Sequence, residues 1–158
     1  MREIIFRGKD RTGIMNHLWQ EGSLDNTNEE FPKIVRLDRW GNKMLIDVAP
    51  ETVGQYTGLT DKNGKRIFEG DILKVHTRVY IEEDDPIFGK RKALSEEKRT
   101  RYWVVEWGNH TCGGASWYFY GRDRRFNIRA SNSALWNSDA EVIGNIHDNT
   151  EIMMEEEA

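Results

Sequence analysis

The sequence predicts a mainly β protein, an antiparallel meander with little helix. Three observations carry this expectation. No stretch keeps apolar residues at i, i+3, i+4 and i+7 over three turns, short runs rich in Ile, Val, Phe, Trp and Tyr recur, and Gly and Asn punctuate them.

Taken in order, Glu3-Ile4-Ile5-Phe6-Arg7 predicts a first strand at 3–7, and one or two helical turns are expected near 14–20. Strands at 34–37 and 44–48 follow, with a turn signal at Gly41-Asn42 between them. Strands at 53–57 and 66–68 flank Asn63-Gly64, a pair that tolerates the positive φ angles of a two-residue type I′ hairpin turn. A tight turn at Glu69-Gly70-Asp71 opens a strand at 71–80, with Ile72 on one face and Leu73 and Val75 on the other. A Gly-Asp pair there suits the corner of a small barrel, because Gly permits the bend and Asp can bind nearby backbone N–H groups. Strands at 102–107, 117–121 and 141–146 complete the set, with a turn signal at Gly108-Asn109. Further helix is expected only in a piece of 93–101 and in a fraying 150–157.

Composition sets the boundaries. The 158 residues carry 23 Lys+Arg against 27 Asp+Glu, and a net charge of −4 excludes a globally basic nucleic-acid coat. The length suits one domain over 1–158 with a core of its own. Cys112 is the only cysteine, so an intramolecular disulfide is excluded and a reducing compartment, the cytoplasm, is expected. Charge interrupts residues 1–7 too early for a signal sequence, and the longest apolar run is four residues, at 117–120, so no membrane association is expected. Asn109-His110-Thr111 fits a glycosylation sequon but, without a secretory signal, reads as a turn.

Residues 81–101 break the strand rhythm. Six acids, Glu82, Glu83, Asp84, Asp85, Glu96 and Glu97, stand against six bases, Lys90, Arg91, Lys92, Lys98, Arg99 and Arg101. With little to bury, the segment reads as a solvated excursion between two strands, a charged surface insertion over 82–100. An acidic tail follows at 150–158.

The most informative window runs from Gly54 to Val75 and contains Tyr56-Thr57-Gly58-Leu59, Asp61-Lys62-Asn63-Gly64 and Glu69-Gly70-Asp71-Ile72. It resembles the signature of the YopX family of bacteriophage and prophage proteins. Arg2-Glu3-Ile4-Ile5-Phe6-Arg7-Gly8 is similar to that family's opening, and Glu141-Val142-Ile143-Gly144-Asn145-Ile146 to its closing strand, so the resemblance spans most of the chain. It implies a β-rich domain similar to SH3-type barrels, placed here around 44–80 and 102–121, and a phage or prophage origin. It brings no activity, substrate, cofactor or catalytic residue. The signature positions, Tyr56, Thr57, Gly58, Asp61, Asn63, Gly64, Glu69, Gly70, Asp71, Gly144 and Asn145, read as structural.

Other motifs dissolve on inspection. Asp61-Lys62-Asn63-Gly64 begins like a calcium loop, but its Gly stands at position 4 rather than 6, and position 12 is Ile72. Ser95-Glu96-Glu97-Lys98 matches Ser-x-x-Lys with no partner motif. His110 and Cys112 fall short of the three or four ligands a zinc site needs, and as a nucleophile pair they compete with a plain Cys112-Gly113-Gly114 turn. Gly113-Gly114 lacks the residues of a nucleotide cradle. Glu69 and Asp71 could share a strand face as an acid/base pair, but spacing alone does not separate that from a turn and its cap, and the turn is the preferred reading. No metal and no cofactor is expected.

One constellation suggests a ligand. Trp117-Tyr118-Phe119-Tyr120 leads into Arg122, Arg124, Arg125 and Arg129, a local charge of +3 once Asp123 is counted. Aromatic rings stack bases and arginines neutralise phosphates, so Trp117, Tyr118 and these arginines form a candidate single-stranded nucleic-acid surface. The competing reading puts the aromatics in the core and the arginines on its rim. The expected function is a non-enzymatic binding module acting on a host or phage protein, with nucleic-acid binding as the alternative and an enzyme as the remote third reading.

Overall fold

Strand pairing sorts the chain into two antiparallel sheets. The computed structural model describes residues 3–110, 114–121 and 127–154. The strands are β1 (Phe6–Lys9), β2 (Trp19–Asp25), β3 (Lys33–Leu37), β4 (Lys43–Asp47), β5 (Gly54–Thr60), β6 (Arg66–Phe68), β7 (Asp71–Asp85), β8 (Gly89–His110), β9 (Gly114–Gly121), β10 (Asn127–Arg129) and β11 (Glu141–Asn145). One helix, α1, spans Asn132–Ser138, and short 3-10 turns occupy Pro50–Thr52 and Thr150–Met153. The first sheet runs β4-β3-β2-β1-β5-β6 and the second β10-β9-β8-β7-β11. Among the described residues no pairing closes either sheet into a barrel.

Each sheet owns a core. Leu73, Val75, Trp103, Val105 and Phe119 pack with Ile67 from β6, with Val142 from β11, and with Ala134 and Leu135 from α1. Trp103 and Phe119 stack there, ring centres 5.5 Å apart. A smaller cluster of Ile34, Ile46 and Val48 fills the first sheet, with Phe6, Met15, Leu24 and Val53 around it.

The hairpin at Asn63-Gly64 forms, with a different turn from the one expected. Gly64 has φ +79°, whereas Asn63 is not among the residues of positive φ, so type I′ is excluded. The Gly64 N–H donates to the Asp61 carbonyl (3.0 Å) and the Asp61 N–H to Lys65 (2.9 Å), leaving a three-residue loop with Gly in the left-handed position. The Asp61 carboxylate decides this, since its Oδ1 accepts the N–H groups of Asn63 (2.8 Å) and Lys65 (2.9 Å).

Three further expectations are corrected. Residues 93–101 are strand rather than helix, because β7 and β8 pair through the whole charged segment, down to Asp85↔Gly89. A hairpin pairs the inward-facing half of its backbone groups and leaves the rest to water, and here it sets opposite charges across the strands, with Glu82↔Lys92, Glu83↔Arg91 and Asp84↔Lys90. Residues 14–17 form turns instead of helix, and Trp19 already begins β2. Gly108-Asn109 lies inside β8, paired with Ser116 and Ala115, so neither it nor Asn109 of the sequon makes a turn.

Three elements have no counterpart in the sequence reading, β2, α1 and the three-residue β10, which pairs with β9. β2 is too polar and carries Gly22, where a Cβ would lie 2.3 Å from the Val35 carbonyl oxygen, so glycine is what lets β3 approach. α1 is only seven residues long; Ser131 caps it by accepting the Ala134 N–H (3.2 Å), and Asp139 ends it at φ +52° where Gly is usual. Cys112 lies outside the described residues, as does the acidic tail beyond 154.

Gly64→Val is expected to destabilise the protein by about 1–2 kcal/mol in chemical unfolding, because a β-branched residue is strained at that φ while nothing crowds the site. Gly64→Asn, which tolerates the left-handed region, should cost clearly less.

Candidate functional site

The two sheets meet at Arg7. Its guanidinium lies 2.6 Å from Asp71 Oδ1 and donates to the Glu69 carbonyl (3.3 Å). It sits 4.6 Å from the Trp19 ring centre and 4.9 Å from that of Phe68. Asp71 is 1% exposed, and its Oδ2 accepts the Phe68 N–H at 2.8 Å. Burial pushes the Asp71 carboxyl above its ordinary range, against the pull of Arg7 and of the Phe68 N–H. Burial also raises Glu69, with the nearby Glu106 charge adding to it. This arrangement gives the Glu69-Gly70-Asp71 turn its shape, and the carboxyl of Asp71 is engaged as a structural partner.

Beside this junction opens a polar cleft of about 580 Å³ lined by Lys9, Asp10, His17, Ala49, Glu51, Thr52, Ile146, His147 and Asp148. Three separate stretches supply it: the end of β1 with its following loop, the 3-10 turn after β4, and the turn after β11. Asp10 organises the first by accepting from the Thr12 N–H (3.0 Å) and hydroxyl (2.8 Å) and from the N–H groups of Met15 (2.8 Å) and His17 (3.2 Å). Burial alone would raise the Asp10 carboxyl, but these donors hold it at about 2. Asp148 takes Lys9 Nζ at 2.6 Å on one oxygen, and Trp19 Nε1 (2.6 Å) and Asn145 Nδ2 (3.2 Å) on the other, and it too is held at about 2. Burial, with the Arg7 charge, lowers His147, so its imidazole favours the neutral form. Thr52 donates its hydroxyl to the Ala49 carbonyl (2.6 Å) and accepts the Lys9 N–H (2.9 Å), so the one hydroxyl in the lining is tied into the backbone. The cleft is a recess of hydrogen-bonded groups suited to holding a polar ligand. Among the described residues no three His, Cys, Asp or Glu side chains gather to hold a metal ion.

The signature positions converge on this junction. Tyr56 packs on Phe68, ring centres 5.6 Å apart, and the Thr57 hydroxyl donates to the Ile67 carbonyl (2.8 Å). Gly58 has positive φ within β5, next to an irregularity in the β5–β6 register. Asp61 Oδ2 accepts the Val142 N–H (2.9 Å), tying the hairpin to β11. The Gly70 N–H donates to Val105 (2.8 Å) and its carbonyl accepts from Ile146 (2.9 Å). Gly144 makes room for Asn149, and Asn145 Oδ1 accepts the N–H groups of His147 (2.9 Å) and Asp148 (3.0 Å). Sequence reasoning missed Arg7, Asp10, His147 and Asp148 as a group; the only local signal is a turn-forming Asn145-x-x-Asp148.

The aromatic-arginine constellation is divided. Trp117 and Tyr118 are 7% and 3% exposed, since Trp117 meets Trp107 edge-on at 5.0 Å and Tyr118 packs against His110 at 4.3 Å. Neither ring is open for stacking. Arg129 is exposed and donates from Nε to the Ser116 hydroxyl (3.3 Å). Arg122, Arg124 and Arg125 lie outside the described residues. Trp107, 54% exposed on the same sheet, is the open aromatic that the sequence reading passed over.

These features define a mainly β protein of two antiparallel sheets, joined at a buried ion pair with a polar recess beside it. The chain belongs to the YopX protein family, whose model matches residues 6–154. It is similar to the crystal structure of protein EF1440 from Enterococcus faecalis, at 22% identity and a TM-score of 0.48 over 97% of this chain and 99% of that one. No curated protein matches it.

Asp71→Asn should cost about 3–5 kcal/mol in urea unfolding by leaving a buried guanidinium beside a neutral partner, and Asp71→Leu combined with Arg7→Met should recover most of the loss. For Asp148 the folded value lies below the ordinary 3.8, so its contribution is present above pH 3.8 and fades as pH falls toward about 2. Asp148→Asn should therefore lower the unfolding midpoint at pH 7, with the gap to wild type closing through that acid window.

Proposed function

We propose that this protein is a non-enzymatic binding module whose partner is a protein of the bacterial host or the phage, contacted by the β7–β8 ribbon in the host cytoplasm. One observation carries the reading. At the ribbon's turn Ile87 and Phe88 are 79% and 83% exposed, two large apolar side chains held out on a charged stalk. Their backbone is set by Asp85 Oδ1, which accepts both N–H groups, at 2.8 and 3.0 Å. Water-exposed apolar anchors on an ordered turn are what a protein partner buries. The phage or prophage origin rests on the family resemblance, and the cytoplasmic setting on the single cysteine. No helix among the described residues is long and apolar enough to cross a membrane. The same proposal takes 82–100 as a surface insertion in one domain over 1–158, and the strands around 44–80 and 102–121 as an SH3-like unit. The passage of the chain between sheets at Glu69-Gly70-Asp71 supports the latter.

A second reading, single-stranded nucleic-acid binding, is favoured by one observation, the half-exposed Trp107 on the sheet that carries exposed Arg129. It requires oligonucleotide retention at about 50 mM salt that weakens as salt rises, and its loss in Trp107→Ala with Arg129→Gln.

A photo-crosslinking residue in place of Ile87, in the full chain expressed in bacteria, should capture a discrete protein adduct. Phe88→Ser should reduce capture about tenfold with an unchanged circular dichroism spectrum. Absence of any protein adduct from the ribbon tip overturns the proposal.

A further inference from the structure

We infer that a partner of the ribbon is a second copy of this chain, the tip of each molecule seating in a groove on the first sheet of the other. The inference rests on the reading of the ribbon as a protein-binding element and names what it binds.

The groove has a volume of about 460 Å³, and its apolar lining comes from Ile4, Ile5, Val35 and Leu37. Leu37 and Ile4 are largely exposed, so this wall meets water in the single molecule. Two cations, Arg36 and Lys43, stand in the same lining, and neither has an ion-pair partner among the described residues. Arg36 Nε is also buried without a hydrogen-bond acceptor. The occupant such a groove fits is an apolar protrusion flanked by carboxylates.

The ribbon tip has that chemistry. Ile87 and Phe88 form the protrusion; Glu82-Glu83-Asp84-Asp85 leads into it and Lys90-Arg91-Lys92 leads out of it, four acids against three bases. Glu82, Glu83 and Asp85 have cross-strand cations at 3.6–3.7 Å, whereas exposed Asp84 has no ion pair among the described residues. Asp84 is thus the carboxylate available to Arg36 and Lys43. The exposure of Ile87 and Phe88 shows that the tip is not seated in its own molecule's groove. Beyond the residues that β11 covers, positions 76–85 of β7 pair with β8 alone. At roughly 3.3 Å per residue the ribbon projects about 30 Å, a length suited to reaching a neighbour. Two such contacts related by a two-fold axis close the assembly, each tip filling the other's groove.

Sedimentation of the full chain between about 1 and 100 μM at low salt should show a concentration-dependent dimer, weakened as salt is raised. Phe88→Ser at the tip and Leu37→Glu at the groove should each raise the dissociation constant at least about tenfold. Asp84→Lys should weaken association, and adding Arg36→Glu with Lys43→Glu should restore it. If Leu37→Glu alters the circular dichroism spectrum, Lys43→Glu, at an exposed position, takes its place with the same expected loss. A wild-type chain that stays monomeric at about 100 μM, or a dimer indifferent to the groove substitutions, overturns the inference. A monomer whose tip still crosslinks a host or phage protein rejects the self-contact and keeps the ribbon reading, whereas a monomer with no adduct rejects both.

Discussion

The ion pair between Arg7 and Asp71 is the constraint around which the molecule is arranged. A guanidinium and a carboxylate taken out of water lose several kcal/mol of hydration each, and close contact with further hydrogen bonds offsets that loss. Here the contact is 2.6 Å, the Glu69 carbonyl takes a further hydrogen bond, and aromatic rings of Trp19 and Phe68 lie within cation-π distance of the guanidinium, while Arg7 Nε is buried without an acceptor. These demands reach four segments at once. β1 must present Arg7 inward, β2 must bring Trp19, β6 must end at Phe68, and the chain must turn at Glu69-Gly70-Asp71 so that Asp71 starts β7.

Carboxylates play the same part elsewhere. Asp10, Asp61 and Asp148 each gather donors from segments that have no regular structure to satisfy them, and so hold loops in place that a short hydrophobic cluster would leave loose. Asp61 is the clearest example, with one oxygen shaping its hairpin and the other receiving the N–H of Val142 from 81 residues away. This use of acids bears on function. In the cleft Asp10 and Asp148 already serve as structural acceptors, whereas the ribbon presents Ile87 and Phe88, which stay largely exposed among the described residues.

The ribbon also shows how a segment poor in apolar residues becomes ordered. Residues 82–85 and 89–92 bury almost nothing, yet the inward-facing half of their backbone groups pairs across the ribbon, and Glu82, Glu83 and Asp84 each face a base. Exposed ion pairs contribute little individually. Together the facing blocks of acids and bases favour this pairing of strands without fixing its register, since a one-residue slip still sets acids against bases.

Much of the fold was legible. Runs of Ile, Val, Phe and Trp bounded by Gly and Asn marked strands such as β3, β4, β6 and β9, because alternation and turn chemistry are local properties. Gly64 belongs with these, since its positive φ is a demand of three or four residues. What escaped was decided by distant neighbours. β2 exists because β1 and β3 flank it, and α1 because a sheet face offers Ala134 and Leu135 a place to bury; Trp117 and Tyr118 are covered by partners that no spacing reveals. The sequence by itself determined a mainly β chain of the YopX family and the chemistry of its turns. Only the tertiary structure decided which charges meet, because Arg7 and Asp71, or Asp61 and Val142, become neighbours through sheet packing and through nothing written between them.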